Sequence, residues 1–248
     1  MISTIGLLAT GTSGGLLTVA YLGAAVLFIL SLGGLSTQES AKRGNLYGII
    51  GMIVALAATM LHPNISSYAL SANGALAGTI GVGCIIGAFM AKRVEMTAMP
   101  ELVALLHSFV GLAAVLVGFS SHLAPLDPDM SHTEHTIHAI EVFIDVAIGA
   151  ITFTGSIVAW VKLRGKLFTW WVSGKPLLLP GRHFLNLGAV ASIIIMGVLF
   201  ASLTNFTDVH FGLTSFQWLL LMSVVAGLLG VHLVAAIGGA DMPVVLSS

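Results

Sequence analysis

Four ionisable side chains stand out because they fall inside long apolar stretches, where such groups are costly and usually functional. They are His107, Glu141, Asp145 and His232. Histidine titrates near neutral pH when unperturbed, so modest changes in its surroundings move its proton across the physiological range. His107 therefore suits a proton relay. The alternative interpretation is a neutral histidine that is hydrogen-bonded to a neighbouring helix.

Glu141 and Asp145 share one helical face with His138, because the three positions are separated by three and four residues. Two carboxylates at this spacing repel one another when both are charged, so one of them tends to keep a proton. A wet, proton-exchanging face is one interpretation. Simple solvation of Glu141 near the lipid headgroups is the other.

His232 precedes the run Gly238–Pro243, in which glycines and a proline bracket a single acid, Asp241. This pattern is typical of a helix end followed by a tight turn. A cytoplasmic coupling element and a plain turn both explain it.

Metal and nucleotide sites are not expected in this chain. His132, Glu134, His135 and His138 have a spacing that can ligate a metal on a helix, but the signal is weak. The sequence has no phosphate-binding glycine loop, dinucleotide fingerprint or nucleophile elbow. A net charge of −1 also gives no footprint for a nucleic-acid partner.

The elements that hold these residues are apolar windows of membrane-spanning length. Of 248 residues, 57% are hydrophobic and 8% are charged, whereas a soluble domain carries roughly 25% charged residues. Crossing a bilayer takes about 20 apolar residues. The sequence predicts an all-α, polytopic transmembrane bundle of about seven helices: Leu16–Leu35, Leu46–Leu61, Gly74–Ala91, Glu101–Ser121, Ile137–Val161, Phe184–Leu203 and Phe216–Ile237.

Two further features concern helix contacts and the membrane surface. The third window carries small residues at helical spacing, which predicts close helix packing at Gly74, Gly78, Gly83 and Gly87. The stretch Leu167–Pro180 is apolar but is interrupted by prolines and too short to span, so we expect it to lie at the interface.

All nine lysines and arginines fall in alternate loops. They follow the first window (Lys42, Arg43), the third window (Lys92, Arg93) and the fifth window (between 162 and 182). Basic loops stay on the cytoplasmic side of a membrane. The pattern therefore predicts an N-terminus outside and a C-terminus in the cytoplasm.

Four blocks of the sequence resemble the beta subunit of proton-translocating nicotinamide nucleotide transhydrogenase. The blocks are Lys92–Gly111, Thr152–Ser156, Lys175–Pro180 and His232–Pro243. The resemblance implies a multi-pass protein of a bacterial inner membrane. It also implies an activity in which inward proton flow drives hydride transfer from NADH to NADP+.

The resemblance further assigns roles to particular residues. His107 matches the family's intramembrane proton-pathway histidine, and Asp241 matches an acid in the loop facing the NADP(H)-binding domain. The resemblance also extends to Ser156, in the second block, and to Glu141, outside the four blocks, and makes both secondary candidates for the proton path. Asp145 gains no role from the resemblance and stays a candidate on its position alone.

The resemblance also implies partners. NAD(H) and NADP(H) would bind to partner domains, the alpha subunit and the NADP(H)-binding domain, in a dimer of protomers. Since the family's beta subunit continues into two more helices and that domain, residues 1–248 are expected to be the transmembrane proton-translocating domain alone. Two other functions stay open: a proton-coupled secondary transporter of a small solute, which needs a midplane site, and a structural anchor.

Overall fold

The computed structural model describes residues 2–61, 74–95, 98–124, 130–164, 176–177, 179–203 and 209–237, with the side chains of the first helix described from residue 15 onward. Within these ranges, seven helices are long and apolar enough to cross a membrane, as predicted. They are α1 (Ile2–Leu35), α2 (Ala41–Leu61), α3 (Ala75–Arg93), α4 (Met99–Leu123), α5 (His132–Arg164), α6 (Arg182–Ala201) and α7 (Ser215–Ala235). Two short strands, β1 (Val209–His210) and β2 (Leu213–Thr214), form a hairpin before α7.

Each helix extends beyond its predicted apolar window at one end or both, whereas α6 and α7 also end two residues before their windows do. The α5 helix begins at His132, where a reciprocal cap forms. The Ser131 backbone N–H donates to Glu134 Oε2 at 2.8 Å, and the Glu134 N–H donates to Ser131 Oγ at 3.3 Å. The predicted interfacial stretch lies outside the described residues, apart from 176–177 and 179–180.

The chain divides into two compact units, Met1–Arg93 and Val94–Ser248. In the first unit, α1 and α2 form a hairpin whose backbones meet at two glycines: a Cβ atom on Gly34 would lie 2.6 Å from the Gly44 Cα. In contrast, no described atom lies within 4 Å of the Cβ positions of the glycines at 74, 78, 83 and 87. The close packing predicted for α3 is therefore not seen within this unit.

In the second unit, α5 packs against α4, α6 and α7. The α5–α7 seam is tight: Thr154 Oγ1 donates to the Gly227 carbonyl at 2.7 Å, and a Cβ atom on Gly230 would lie 2.5 Å from the Ile151 oxygen. The most deeply buried large side chains, Val146, Leu219 and Met222, fill the core.

One end of the second unit carries its described lysine and arginine side chains; we call it the basic end. Lys162 and Arg164 close α5 there, and Arg182 opens α6. Arg164 forms an ion pair with Glu101, in the first turn of α4, at 3.8 Å. Hence α4 and α6 begin at the basic end, where α5 and α7 finish. The alternating directions match those of consecutive membrane spans.

Candidate functional site

A groove runs along the surface of the second unit between α4 and α5. It consists of two adjoining cavities of about 370 and 190 Å³ that share Glu141 and Asp145 in their walls. The smaller cavity lies farther from the basic end and also contains Ser121 and His138. The sequence prediction that His138, Glu141 and Asp145 share a face therefore agrees with the groove. We call this feature the α4–α5 groove.

The two carboxylates have different surroundings. Glu141 is exposed and Asp145 is partly buried. The Asp145 carboxylate lies beside the α4 backbone at Gly118, where a Cβ atom would come within 3.6 Å of Oδ2. Towards the basic end, the larger cavity is lined by apolar residues and by one hydroxyl, that of Thr152. Acidic groups are therefore concentrated in one part of the groove.

His107 lies on α4, one turn closer to the basic end than the groove residues Val110 and Gly111. Its Nδ1 atom is 2.9 Å from the Val103 carbonyl oxygen. A carbonyl only accepts hydrogen bonds, so Nδ1 carries the proton and the neutral ring keeps its lone pair on Nε2. The ring is oriented by its own helix.

The side chain of His107 lies outside the packed core of the second unit. The side chain is within the span but is exposed on the surface of the second unit. The physical reason is the stripe of small residues that faces α5. Ala104, Ser108, Gly111 and Gly118 are buried on that stripe, and His107 lies beside it, about 100° around the helix from Ser108.

Ser156 lies on α5, one turn beyond the groove residue Thr152, and is partly buried. Its level relative to His107 follows from the antiparallel packing. A Cβ atom on Gly111 would lie 2.5 Å from the Phe153 nitrogen and 2.8 Å from the Gly149 oxygen. One turn further towards the basic end, His107 and Ser156 lie at similar depth, beyond the residues that line the two cavities.

His232 lies on α7, which does not line the groove. Its Nδ1 atom is 2.6 Å from Asn186 Oδ1 on α6. The sequence interpretation did not include Asn186, although an amide inside an apolar span is itself a signal of an interhelical hydrogen bond. Asp241 lies outside the described residues.

A metal site does not assemble in the described part of the chain. Among those residues, no group of three or more His, Cys, Asp or Glu side chains could hold a metal ion. The Glu134 carboxylate instead accepts hydrogen bonds from the Ser131 N–H and Oγ–H at 2.8 and 2.7 Å. This acid caps α5.

Comparison with known proteins gives the family. A family profile described as "NAD(P) transhydrogenase beta subunit" matches residues 17–248. The chain belongs to that family. Two proteins named "NAD(P) transhydrogenase subunit beta", both from Rhodospirillum rubrum, are 40% identical to it over 231 residues.

The match covers 92% of this chain and 45% of each relative, so the chain spans about half the length of the curated relatives it matches. The resemblance seen in the sequence blocks is confirmed. Together with the seven apolar helices, the family identifies a multi-pass membrane component of a transhydrogenase beta subunit.

Proposed function

We propose that this chain forms the proton-translocating membrane domain of a transhydrogenase, in which inward proton flow drives hydride transfer from NADH to NADP+. The nucleotides bind to other parts of the complex: the alpha subunit and the NADP(H)-binding domain. The complex is a dimer of protomers in a bacterial inner membrane. The supporting observation is the α4–α5 groove, which leads from two carboxylates towards His107 along one face of the helix pair.

The acidic part of the groove receives protons from the outer side. Glu141 and Asp145 are one turn apart in the same cavity, where both carboxylates can exchange a proton with the same water. The pair therefore captures a proton from water and releases it towards the larger cavity.

Water carries the proton along the apolar part of the groove. Asp145 and Ser156 are about 16 Å apart along α5 at 1.5 Å per residue, which is too far for a direct transfer. A cavity of about 370 Å³ has room for on the order of ten water molecules at their liquid volume. A short water chain therefore connects the carboxylates with the level of His107.

His107 receives the proton at Nε2, since Nδ1 is bonded to the Val103 carbonyl. Ser156, at similar depth on the facing helix, offers a hydroxyl that both donates and accepts. The onward route towards the basic end passes His232 and Asp241. Coupling to hydride transfer requires two states of the complex with different affinity for this proton.

The exposed side of the groove is covered in the assembled complex. An ionisable ring facing hydrocarbon would be costly, and His107 is exposed on the second unit. We propose that helices of the alpha subunit, or other parts of the beta subunit, complete the wall and keep the groove wet.

Replacing His107 in the complete complex tests this function. His107→Gln should slow nucleotide-driven proton uptake into inverted vesicles on the order of 100-fold, the range for losing a positioned proton-transfer group. His210→Gln is the matched control, because His210 is exposed in β1, away from the groove residues and from His232. Normal proton uptake and normal NADP(H)-linked turnover in His107→Gln would refute the relay.

A further inference from the structure

The hydrogen bond between Asn186 and His232 joins α6 to α7 near the basic end. At 2.6 Å, Asn186 Oδ1 accepts from the Nδ1–H of the ring. A neutral imidazole has one N–H and one lone pair, so this bond leaves the lone pair on Nε2. Asn186 therefore selects one of the two tautomers of His232.

The other ring nitrogen is enclosed. Nε2 of His232 is buried and has no hydrogen-bond partner in the described part of the chain. A buried acceptor without a donor is costly, so such an atom in a folded protein calls for an explanation. A proton, or a water molecule that delivers one, satisfies this acceptor directly.

The turn that carries His232 is held in place by a buried lysine. Lys162 is only 5% exposed, and its ammonium donates to the carbonyls of Val234, Ala235 and Ile237 at 3.3, 2.6 and 2.7 Å. The Leu177 N–H also donates to the Ala235 oxygen, at 2.9 Å. A cation at this helix end is favourable because the last carbonyls of a helix lack partners within the helix and carry a partial negative charge.

We propose that His232 is a second protonation site of this unit, with its proton entering and leaving at Nε2, and that Asn186 is the positioning residue that makes Nε2 the acceptor. When Nε2 binds a proton, the ring becomes an imidazolium that still donates Nδ1–H to Asn186. The same N–H bond at Nε2 then breaks when the proton moves on to water. The proposal rests on proton flow through this unit but not on the assignment of His107.

The charged and titratable groups on the surrounding elements bear on the pH dependence. On α5 they are Lys162 and Arg164, and on α6 they are Arg182 and His183. Glu101 of α4 is already paired with Arg164.

Two substitutions of Asn186 distinguish a role in orienting the His232 ring from a general role in folding. In the complete complex, Asn186→Leu removes the acceptor for Nδ1–H and should slow nucleotide-driven proton uptake about tenfold. Asn186→Asp keeps an acceptor oxygen and adds a negative charge, so it should preserve uptake and move its pH profile about one unit to higher pH. Ser192→Ala is the control on the same helix, because the Ser192 hydroxyl donates to the Gly188 carbonyl within α6 and not to another helix.

Nitrogen NMR of histidine in the labelled complex reads the tautomer directly. The His232 signal is assigned as the one that is missing from the spectrum of His232→Gln. This signal should indicate the Nδ1–H tautomer in the unmodified complex and a mixture of tautomers in Asn186→Leu. An Nε2–H tautomer in the unmodified complex would overturn the proposal. Normal uptake with an unchanged pH profile in Asn186→Leu, Asn186→Asp and His232→Gln would overturn it as well.

The two proposals fail separately. If His107→Gln stops proton uptake while the variants at 186 and 232 do not, the second protonation site is wrong and the proposed function stands. If Asn186→Leu and His232→Gln slow uptake while His107→Gln does not, His232 remains a protonation site and the His107 relay falls.

Discussion

At the scale of single residues, the imidazoles of His107 and His232 are oriented by different means. His107 donates from Nδ1 to its own helix at Val103, whereas His232 bonds to a side chain on another helix. A ring oriented by its own helix keeps its tautomer when helices shift. A ring oriented across a helix contact changes when the contact changes. His232 is therefore the better sensor of helix movement, and His107 the better fixed relay.

The two groove carboxylates are expected to substitute for each other. Both Glu141 and Asp145 line both cavities, so either can pass a proton to the same water. Glu141→Gln and Asp145→Asn should each slow proton uptake only about threefold, and the double variant on the order of 100-fold, because the last positioned acid is then lost. The measurement is vesicle acidification in the complete complex.

Glu39→Gln is the control for this pair, since Glu39 is exposed in the other compact unit. Multiplicative effects, in which the double variant loses only about ninefold, would show that the carboxylates act independently. An unaffected double variant would leave simple solvation as the role of both acids.

At the scale of elements, the composition of the sequence predicted the membrane-spanning helices but did not predict which residues form the contacts between them. Each predicted window falls on one helix, with at most two residues beyond its end, because a run of about 20 apolar residues fits a bilayer as a helix. Which small residues form contacts depends on the neighbouring helix. The sequence interpretation singled out the glycines at 74, 78, 83 and 87, whereas close backbone contacts of the second unit include those at Gly111, Gly149 and Gly230. A single sequence shows the small residue and not its partner.

The candidate site likewise combines features that the sequence predicts with features that it does not predict. The shared face of His138, Glu141 and Asp145 follows from helical periodicity alone, and the groove bears it out. The exposure of His107 and the pairing of Asn186 with His232 depend on helix rotation and on contacts distant in sequence. Periodicity within one helix does not determine either.

The α4–α5 seam should be intolerant of even one methyl group. A Cβ atom on Gly111 would lie 2.5 Å from a backbone nitrogen of α5, so Gly111→Ala must separate the helices. We expect a loss of about 2 kcal/mol, the range for overpacking a close contact. Thermal unfolding of the purified complex in detergent measures it.

Gly188→Ala is the matched control, because no described atom lies within 4 Å of its Cβ position on α6. It should leave stability unchanged or raise it by up to about 1 kcal/mol through helix propensity. Equal unfolding temperatures for the two variants would contradict the tight α4–α5 contact.

At the scale of the whole molecule, the direction of proton flow depends on which side the basic end faces. The acidic cavity of the groove lies away from that end. If the basic end is cytoplasmic, as the distribution of lysine and arginine predicts, Glu141 and Asp145 take protons from outside. The reverse orientation would turn the same groove into an exit path.

Cysteine labelling tests the orientation in the complete complex. The native cysteine, Cys84, is exposed and is first replaced by serine. Single cysteines are then introduced at two exposed positions, Ser36 between α1 and α2 and Ser202 at the end of α6. A membrane-impermeant maleimide added to intact cells from which the outer membrane has been removed should label Ser202→Cys. Ser36→Cys should react only after permeabilisation, because the basic loops are retained inside. The opposite pattern would invert the topology and place the acidic cavity on the cytoplasmic side, where it would release protons and not collect them.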